Sequence, residues 1–371
     1  MGRLLVYGAT GFSGRLISAA AQAAGLDVII AGRDRTRLQA VASSLGVPMR
    51  VVRLGDRAGF DCALQDIQVM LNVAGPFAAT ASPVLDACIR TNTHYLDVSG
   101  ELPSFIASHR YDATARNQGL MVMPGVGFVV TASDCLAAHV AARMPEARYL
   151  RLALSRTELV SRGSYATMLG LVRERVSIRR EGRLCAVPVG QLERVFDYGA
   201  GERVSAAVSW ADVFTAYHTT GIENIEVYAE ADAWTRWFYQ SAACFAGPLR
   251  LTPVQKLLEL GARAWPEGPS EAQRAAAPRA IVAEVEDRFR RCVRARLHTP
   301  DGYSFTPVSA LAIAERVLAG EFRAGFQTPA GVYGADFVLS LEGVHREDIT
   351  RISDKSALRD DDGRDSARAA R

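Results

Sequence analysis

Residues 4–14 read LLVYGATGFSG, and this stretch decides the fold. Leu4, Leu5, Val6 and Tyr7 form a short apolar run of strand formers. Gly8, Gly11 and Gly14 follow at even spacing, and an alanine-rich stretch from Arg15 to about Ala24 has helical character. A strand, a tight turn and a helix in that order open a dinucleotide-binding unit. The first glycine lets the chain turn, the second lets backbone approach a pyrophosphate, and the third lets the helix lie close to the strand. The phosphates would rest on the free N–H groups of the helix N-terminus. Thr10, Phe12 and Ser13 complete the turn and join the glycines as candidate cofactor-binding residues.

The second strand selects the dinucleotide. Asp27 to Ala31 (DVIIA) reads as a buried strand that ends in Gly32-Arg33-Asp34-Arg35, where an NAD-binding chain would place an acid on the ribose hydroxyls. Arginine stands there instead. Its planar fork of donors suits a phosphate, so Arg33, with Arg35 or Arg37 as helpers, is expected to hold the 2′-phosphate of NADP(H).

Composition excludes several other classes. The net charge of +3 over 371 residues, without a basic stripe carrying interleaved aromatics, argues against nucleic acid. Cys62, Cys88, Cys135, Cys185, Cys244 and Cys292 show neither a CxxC pair nor histidines at ligand spacing, so no metal is expected and the thiols read as free. No stretch has the roughly 20 apolar residues of a membrane span, and the first strand begins too early for a signal peptide, so the expected location is the cytoplasm.

The pattern continues as a doubly wound sheet: a helix over 36–45, a strand over 49–54, a helix over 59–65, and a strand over 69–73 ending in Ala74-Gly75-Pro76-Phe77. Ligands lie outside the carboxyl ends of such strands, so this turn should face the nicotinamide ribose. After a helix over 81–92, the strand His94 to Val98 exits through Asp97, Ser99, Gly100 and Glu101. Asp97 reads either as a catalytic group or, with Ser99, as a turn cap, while Ser99 and Gly100 also fit a cofactor-facing loop. A strand over 120–123 leads through Pro124 to Phe128 into a helix that Thr131, Ser133 or Asp134 would cap.

Taken together, GATGFSG, AGR, AGPF, HYLDVSGE and the proline-glycine loop before a capped helix resemble the saccharopine dehydrogenase-like family of NADP-binding oxidoreductases, and within it the trans-acting enoyl reductase branch. The likeness is close over the first 145 residues and looser in Ser161 to Ser164, in Thr215 to Tyr228, and in the late DGYSFT and QTPAGVYG. It implies an NADPH-linked enzyme that reduces an activated C=C of an acyl thioester. The alternatives are a C=N reductase or dehydrogenase acting on an amino-acid-like substrate, and a protein that binds NADP as a signal. It also admits coenzyme A or an acyl carrier protein as carrier, and a homodimer as the assembly.

The fold expected is therefore α/β, a Rossmann-like parallel sheet over 1–147, with a second α+β domain on a mixed or antiparallel sheet over 148–302. Helices over 303–350 return to the first sheet, and a polar, disordered tail runs over 351–371. Within the second domain the expectations are a helix over 165–176 and strands over 183–189, 194–198, 204–210, 213–219 and 225–231, then 281–286 and 292–297. The aromatic stretch over 233–245 reads as core or as a pocket wall. Later come helices over 253–264, over 307–319 capped by Thr306, and near 334–341. The only lysines, Lys256 and Lys355, follow Thr252 and Arg351 by four places, so no Tyr-x-x-x-Lys pair exists and the short-chain dehydrogenase mechanism is excluded. Tyr165, Tyr217 and His218 are the candidate proton donors, and His94 reads as structural. The arginines at 173, 175, 179, 180 and 183 form a solvated helix face or a landing site for phosphate or an acidic carrier.

Overall fold

The structure, a computed structural model, describes residues 2–156, 161, 175–233, 235–236 and 268–349. The first strand, β1 (Leu4–Tyr7), is buried at every position, as an interior parallel strand covered on both faces must be. Alternation then follows through α1 (Phe12–Ala23), β2 (Val28–Gly32), α2 (Arg35–Leu45), β3 (Met49–Val51), α3 (Arg57–Leu64), β4 (Val69–Asn72), α4 (Phe77–Arg90) and β5 (His94–Asp97). Two short helices, α5 (Leu102–His109) and α6 (Asp112–Gln118), precede β6 (Met121–Met123) and α7 (Phe128–Ala142).

The second sheet is built from β7 (Tyr149–Leu154), β8 (Val176–Arg180), β9 (Arg183–Val187), β10 (Glu193–Asp197), β11 (Glu202–Ala207), α8 (Asp212–Thr220) and β12 (Asn224–Glu230). It continues with α9 (Glu271–Ala275), β13 (Arg279–Glu286) and β14 (Cys292–Thr299). The long helix α10 (Gly302–Leu318), β15 (Gly325–Phe326), α11 (Pro329–Tyr333), a short 3₁₀ turn and β16 (His345–Asp348) complete the described chain.

Among the described residues the first sheet has the order β15-β6-β5-β4-β1-β2-β3, and all its strand pairs are parallel. The second sheet runs β10-β11-β12-β7-β13-β14-β16, with β8 and β9 attached at β12; β7 and β12 are parallel and the rest antiparallel. One apolar core spans both sheets. Leu4, Val6 and Leu96 of the first sheet, Leu136 and Val140 of α7, Ile313 and Val317 of α10, and Leu152, Val227 and Ile281 of the second sheet belong to it. Helices α7 and α10 are thus a layer shared by the two sheets. A second core, including Leu5, Tyr7, Met70, Phe60 and Leu85, fills the opposite face of the first sheet.

Several elements depart from the sequence reading. The stretch 213–219 is helical: Asp212, Val213, Thr215 and Ala216 are its buried positions, a 3.6-residue stripe, and Gly221 at φ 71° stops it. Its β-branched and aromatic residues suggest a strand, but burial against α7 overrides that propensity. Val176 starts strand β8 rather than ending a helix; residues 162–174, with Tyr165, lie outside the described residues. So do most of the aromatic stretch, the helix expected over 253–264, and the tail from 351.

Thr131, Ser133 and Asp134 sit inside α7, whose N-cap is Gly127. Thr306 likewise lies inside α10, whose cap is Asp301, accepting the N–H groups of Tyr303 at 2.9 Å and Ser304 at 3.3 Å. Helix α4 begins at Phe77, not Ala81.

Asp134 and Asp212 are fully buried where α7 meets α8. Asp134 accepts the Thr219 hydroxyl at 2.6 Å and the Ala330 N–H at 2.9 Å, and so caps α11 from another helix. Asp212 accepts the Ser133 hydroxyl, while its Oδ2 has no partner. Burial pushes the Asp134 carboxyl up to about 6 and that of Asp212 up to about 7, the second also raised by the charge of Asp134. A carboxyl raised in the folded state gives stability that is complete below the unfolded value near 4 and is lost as pH rises through the folded one. Asp212→Asn should therefore gain on the wild type as pH rises from about 4 to 8, ending more than about 1 kcal/mol ahead of its low-pH difference. Urea unfolding of both proteins across that range measures the slope; a difference independent of pH would contradict it.

Candidate functional site: a dinucleotide crevice

After β1 the chain turns at Gly8, whose φ of 94° suits glycine, and whose missing side chain lets the backbone of Ala74 come close: a Cβ there would stand 2.7 Å from the Ala74 nitrogen. The exits of β1 and β4 are thereby joined. The Gly11 N–H donates to the Gly8 carbonyl at 3.0 Å, and Gly11 becomes the N-cap of α1 in extended backbone. A Cβ on Gly14 would run into Gly8 and Ala9, so that glycine is required for α1 to lie against the turn. Helix α1 has no side-chain cap and no acid in its first turn. Its neighbours differ: Asp34 caps α2, Asp56 caps α3, and Glu101 accepts the Phe77 and Ala78 N–H groups of α4 at 3.2 and 3.0 Å. The first turn of α1 is left to receive an external anion.

At the end of β2, Arg33 is exposed, and the neighbouring Asp34 turns its carboxylate into α2, away from pairing with it. The guanidinium stands where the sequence places a reader of the 2′-phosphate.

The β4, β5 and β6 exits are gathered by buried polar side chains. Asp97 is fully buried and accepts the Tyr95 hydroxyl at 2.7 Å, the Ser99 N–H at 2.8 Å, the Ser99 hydroxyl at 2.6 Å and the Gly125 N–H at 2.9 Å. Burial raises its carboxyl above the ordinary range, and these donors pull it part of the way back. The Asn72 side-chain amide donates to the Tyr95 hydroxyl and accepts the Ala74 N–H, both within hydrogen-bond reach at 3.3 and 3.1 Å. Ala74, Gly75, Pro76, Phe77, Ser99 and Gly100 therefore stand along one edge. Asp97 is a tie between loops, closed to solvent, and Ser99, itself buried, gives both its hydroxyl and its N–H to that carboxylate. Sequence motifs contained Asn72, Tyr95 and Glu101, but their roles depend on partners far apart in the chain.

Tyr217 and His218 are placed elsewhere. Helix α8 meets the crevice at its start, where the Ala211 N–H donates to the Gly100 carbonyl at 3.3 Å. Tyr217 and His218 lie six and seven residues further on, about 10 Å along the helix from that point. His218 lies 6.1 Å from the His109 ring and 5.2 Å from Phe326, at the outer end of α5, and partial burial followed by the His109 charge lowers its basicity. Tyr217 is covered by the Arg179 guanidinium at 4.0 Å. His94 accepts the Met121 N–H at 3.0 Å, and burial holds it down to about 4, a structural histidine.

The basic cluster dissolves in the same way. Arg179 donates to the carbonyls of Val213 and Gly182, Arg180 pairs with Glu226, and Arg175 donates to Ala186, all on a hairpin rather than a helix face. Arg173 lies outside the described residues. Nearer the glycine turn is Tyr303, in the first turn of α10 and within the DGYSFT run, a residue outside the candidate proton donors of the sequence reading. Its ring meets Phe12 of the glycine turn edge-on at 5.2 Å, and its hydroxyl oxygen accepts the Ser161 N–H. Thr306, one turn on, accepts the Phe128 N–H at 3.2 Å, so α10 bridges the β1 and β6 exits.

Residues 4–123 match the model of the saccharopine dehydrogenase NADP binding domain. The chain carries that NADP-binding domain. A trans-acting enoyl reductase of Mycobacterium ulcerans (strain Agy99) is 32% identical over 151 residues, 38% of this chain and 36% of the relative. A saccharopine dehydrogenase-like oxidoreductase of Mus musculus is 30% identical over 146 residues, 34% of each. The match thus spans about a third of the length of these curated relatives. Apo saccharopine dehydrogenase (L-Glu forming) from Saccharomyces cerevisiae superposes with a TM-score of 0.63 over 94% of this chain and 100% of that one, at 13% identity, which shows a shared fold. Among the described residues no helix is long and apolar enough to cross a membrane, and no group of three or more His, Cys, Asp or Glu is placed to hold a metal.

The NADP-binding domain should respond to Gly11 in a specific way. A Cβ on Gly11 would meet only the Gly8 carbonyl, at 3.3 Å, a tight contact that a small shift of the turn relieves, while a larger side chain there would stand over the first turn of α1 that is expected to take the diphosphate. Gly11→Val is expected to keep its melting temperature within a few degrees and to lose both NADPH and NADH binding in a fluorescence titration.

Proposed function

We propose that this chain is an NADPH-dependent reductase that delivers hydride to the activated C=C of an acyl thioester. The observation that carries the reading lies at the carboxyl edge of the first sheet: a first turn of α1 with no side-chain cap and no acid, next to the strand exit that carries the exposed Arg33. The α1 N–H groups would hold the diphosphate and Arg33 the 2′-phosphate. Bound there, the cofactor supplies a hydride for the β-carbon of the acceptor. The chain must then position the acceptor, exclude water and give a proton to the α-carbon.

Tyr303 is our choice for the proton donor. Its ring packs edge-on against Phe12 of the glycine turn, and its hydroxyl oxygen accepts the Ser161 N–H, which places a phenol beside that turn. Asp97 holds the loops of the crevice in place. The acyl reading is supported by the enoyl reductases among the relatives. It is also supported by the second sheet, where Arg151, Arg194, Arg294 and Arg296 are engaged by carboxylates. An amino-acid-like substrate wants a guanidinium that is not so engaged. Since much of the basic hairpin is spent on internal partners, coenzyme A thioesters are the first substrates to try.

NADPH fluorescence on mixing, followed by its oxidation on adding enoyl thioesters and imines, tests the reading. Oxidation by enoyl thioesters is expected. Oxidation by imines alone would move the chain to C=N chemistry, and binding without any turnover would favour a sensor. Arg33→Asp should weaken NADPH at least tenfold more than NADH, since a charge-assisted contact is lost and a repulsion added. Tyr303→Phe should lower kcat by about 100-fold or more with NADPH affinity unchanged; an unaltered kcat would remove Tyr303 from the mechanism.

A further inference from the structure

We propose that Arg53, at the exit of β3, is a second reader of the cofactor's 2′-phosphate, so that this chain selects NADPH with two guanidinium groups. The proposal rests on the NADPH reading above and deepens it.

Strands β2 and β3 are parallel neighbours, with Gly32 opposite Val51. The Val52 N–H donates to the Gly32 carbonyl at 3.0 Å, which carries the pairing one residue further. Arg33 follows Gly32, and Arg53 follows Val52, so the two arginines leave adjacent strands at the carboxyl edge. Arg53 lies one residue beyond the position level with Arg33; neighbouring strands stand about 5 Å apart, and side chains as long as arginine's span that offset to converge on one phosphate. Both side chains are exposed.

The nearby acids are committed elsewhere. Asp34 Oδ1 accepts the Arg37 N–H at 3.1 Å at the start of α2, and Asp56 Oδ1 accepts the Gly59 N–H at 2.8 Å at the start of α3. Among the described residues neither Arg33 nor Arg53 has a carboxylate partner. Other arginines of this sheet do: Arg3 pairs with Asp27 and Asp66, Arg50 with Asp66, and Arg90 with Asp61. Capping thus turns the two nearest carboxylates toward helix N-termini, and leaves two exposed guanidinium groups without a carboxylate partner at the exits of adjacent strands. A dianion entering there relieves their repulsion and gains charge-assisted hydrogen bonds from both, whereas the ribose hydroxyls of NADH offer neither gain.

The test is a fluorescence titration of the full chain with NADPH and with NADH, for the wild type, Arg53→Ala, Arg53→Lys and the control Arg57→Ala. Arg53→Ala is expected to weaken NADPH about tenfold and NADH less than twofold, and Arg53→Lys to recover part of the loss, since an ammonium keeps the charge but not the fork. Arg57→Ala should leave the ratio unchanged. Competition by adenosine 2′,5′-bisphosphate against NADPH isolates the phosphate end, and Arg53→Ala should weaken that competitor by the same factor. Equal weakening of NADPH and NADH, or no change in either, in a chain that still prefers NADPH would overturn the role of Arg53. A wild type with no preference for NADPH would overturn the cofactor reading itself, and the Arg53 proposal with it.

Discussion

A single buried carboxylate holds the edge on which the crevice depends. Asp97 leaves β5 and collects donors from its own strand, from the loop after it, and from the loop after β6. Through Tyr95 it is linked to Asn72, which fixes the turn after β4. Three loops that have no contact in sequence are thus tied at one point. Such a group is costly to bury and is tolerated because nearly every lone pair is used. The shape of the crevice follows from this satisfaction.

The two sheets share their helical layer, so the second sheet packs against the first through one continuous apolar core. Helices α7 and α10 belong to the same apolar core as Leu4 and Leu96 on one side and Leu152 and Ile281 on the other. Helix α10 also brings Tyr303 to Phe12 and Thr306 to Phe128, so the far end of the chain completes the region around the glycine turn. The final parallel strand, β15, joins β6 at the edge of the first sheet. The buried pair Asp134 and Asp212 crosses the same layer, tying α7 to α8 and α11.

Legibility in the sequence followed the range of the interactions. Residues 4–14 announce strand, turn and helix because the signal is local: four apolar residues, then glycines that the backbone itself requires. Strands β2, β4 and β6 are legible for the same reason, being largely apolar runs, whereas β15, only two residues long, carries no such signal. Helix α8 was not legible either, since VFTAYHTT has strand propensity and is made helical by a neighbour more than 70 residues away. Caps were misplaced where the polar residue serves another element, as Asp134 does for α11 and Thr306 for the Phe128 N–H. Among site residues, the glycine turn, Arg33 and the AGPF turn all follow parallel strands of the first sheet, at the exits of β1, β2 and β4. Tyr217 and His218 lie toward the far end of their helix; Tyr303 stands within the DGYSFT run, but its place beside Phe12 depends on a residue far away in the chain, and nothing local distinguishes Arg53.

The measurement that bears most directly on this account is amide hydrogen exchange at Ser99 and Gly125 in the wild type and in Asp97→Asn, with and without NADPH. If Asp97 is the common tie, the substitution raises exchange in the loops after β5 and β6 together while the amides of β1 and β4 stay protected. NADPH then protects the loops of the wild type and not those of the variant. Loops that exchange in the variant as they do in the wild type would contradict the central role given to Asp97.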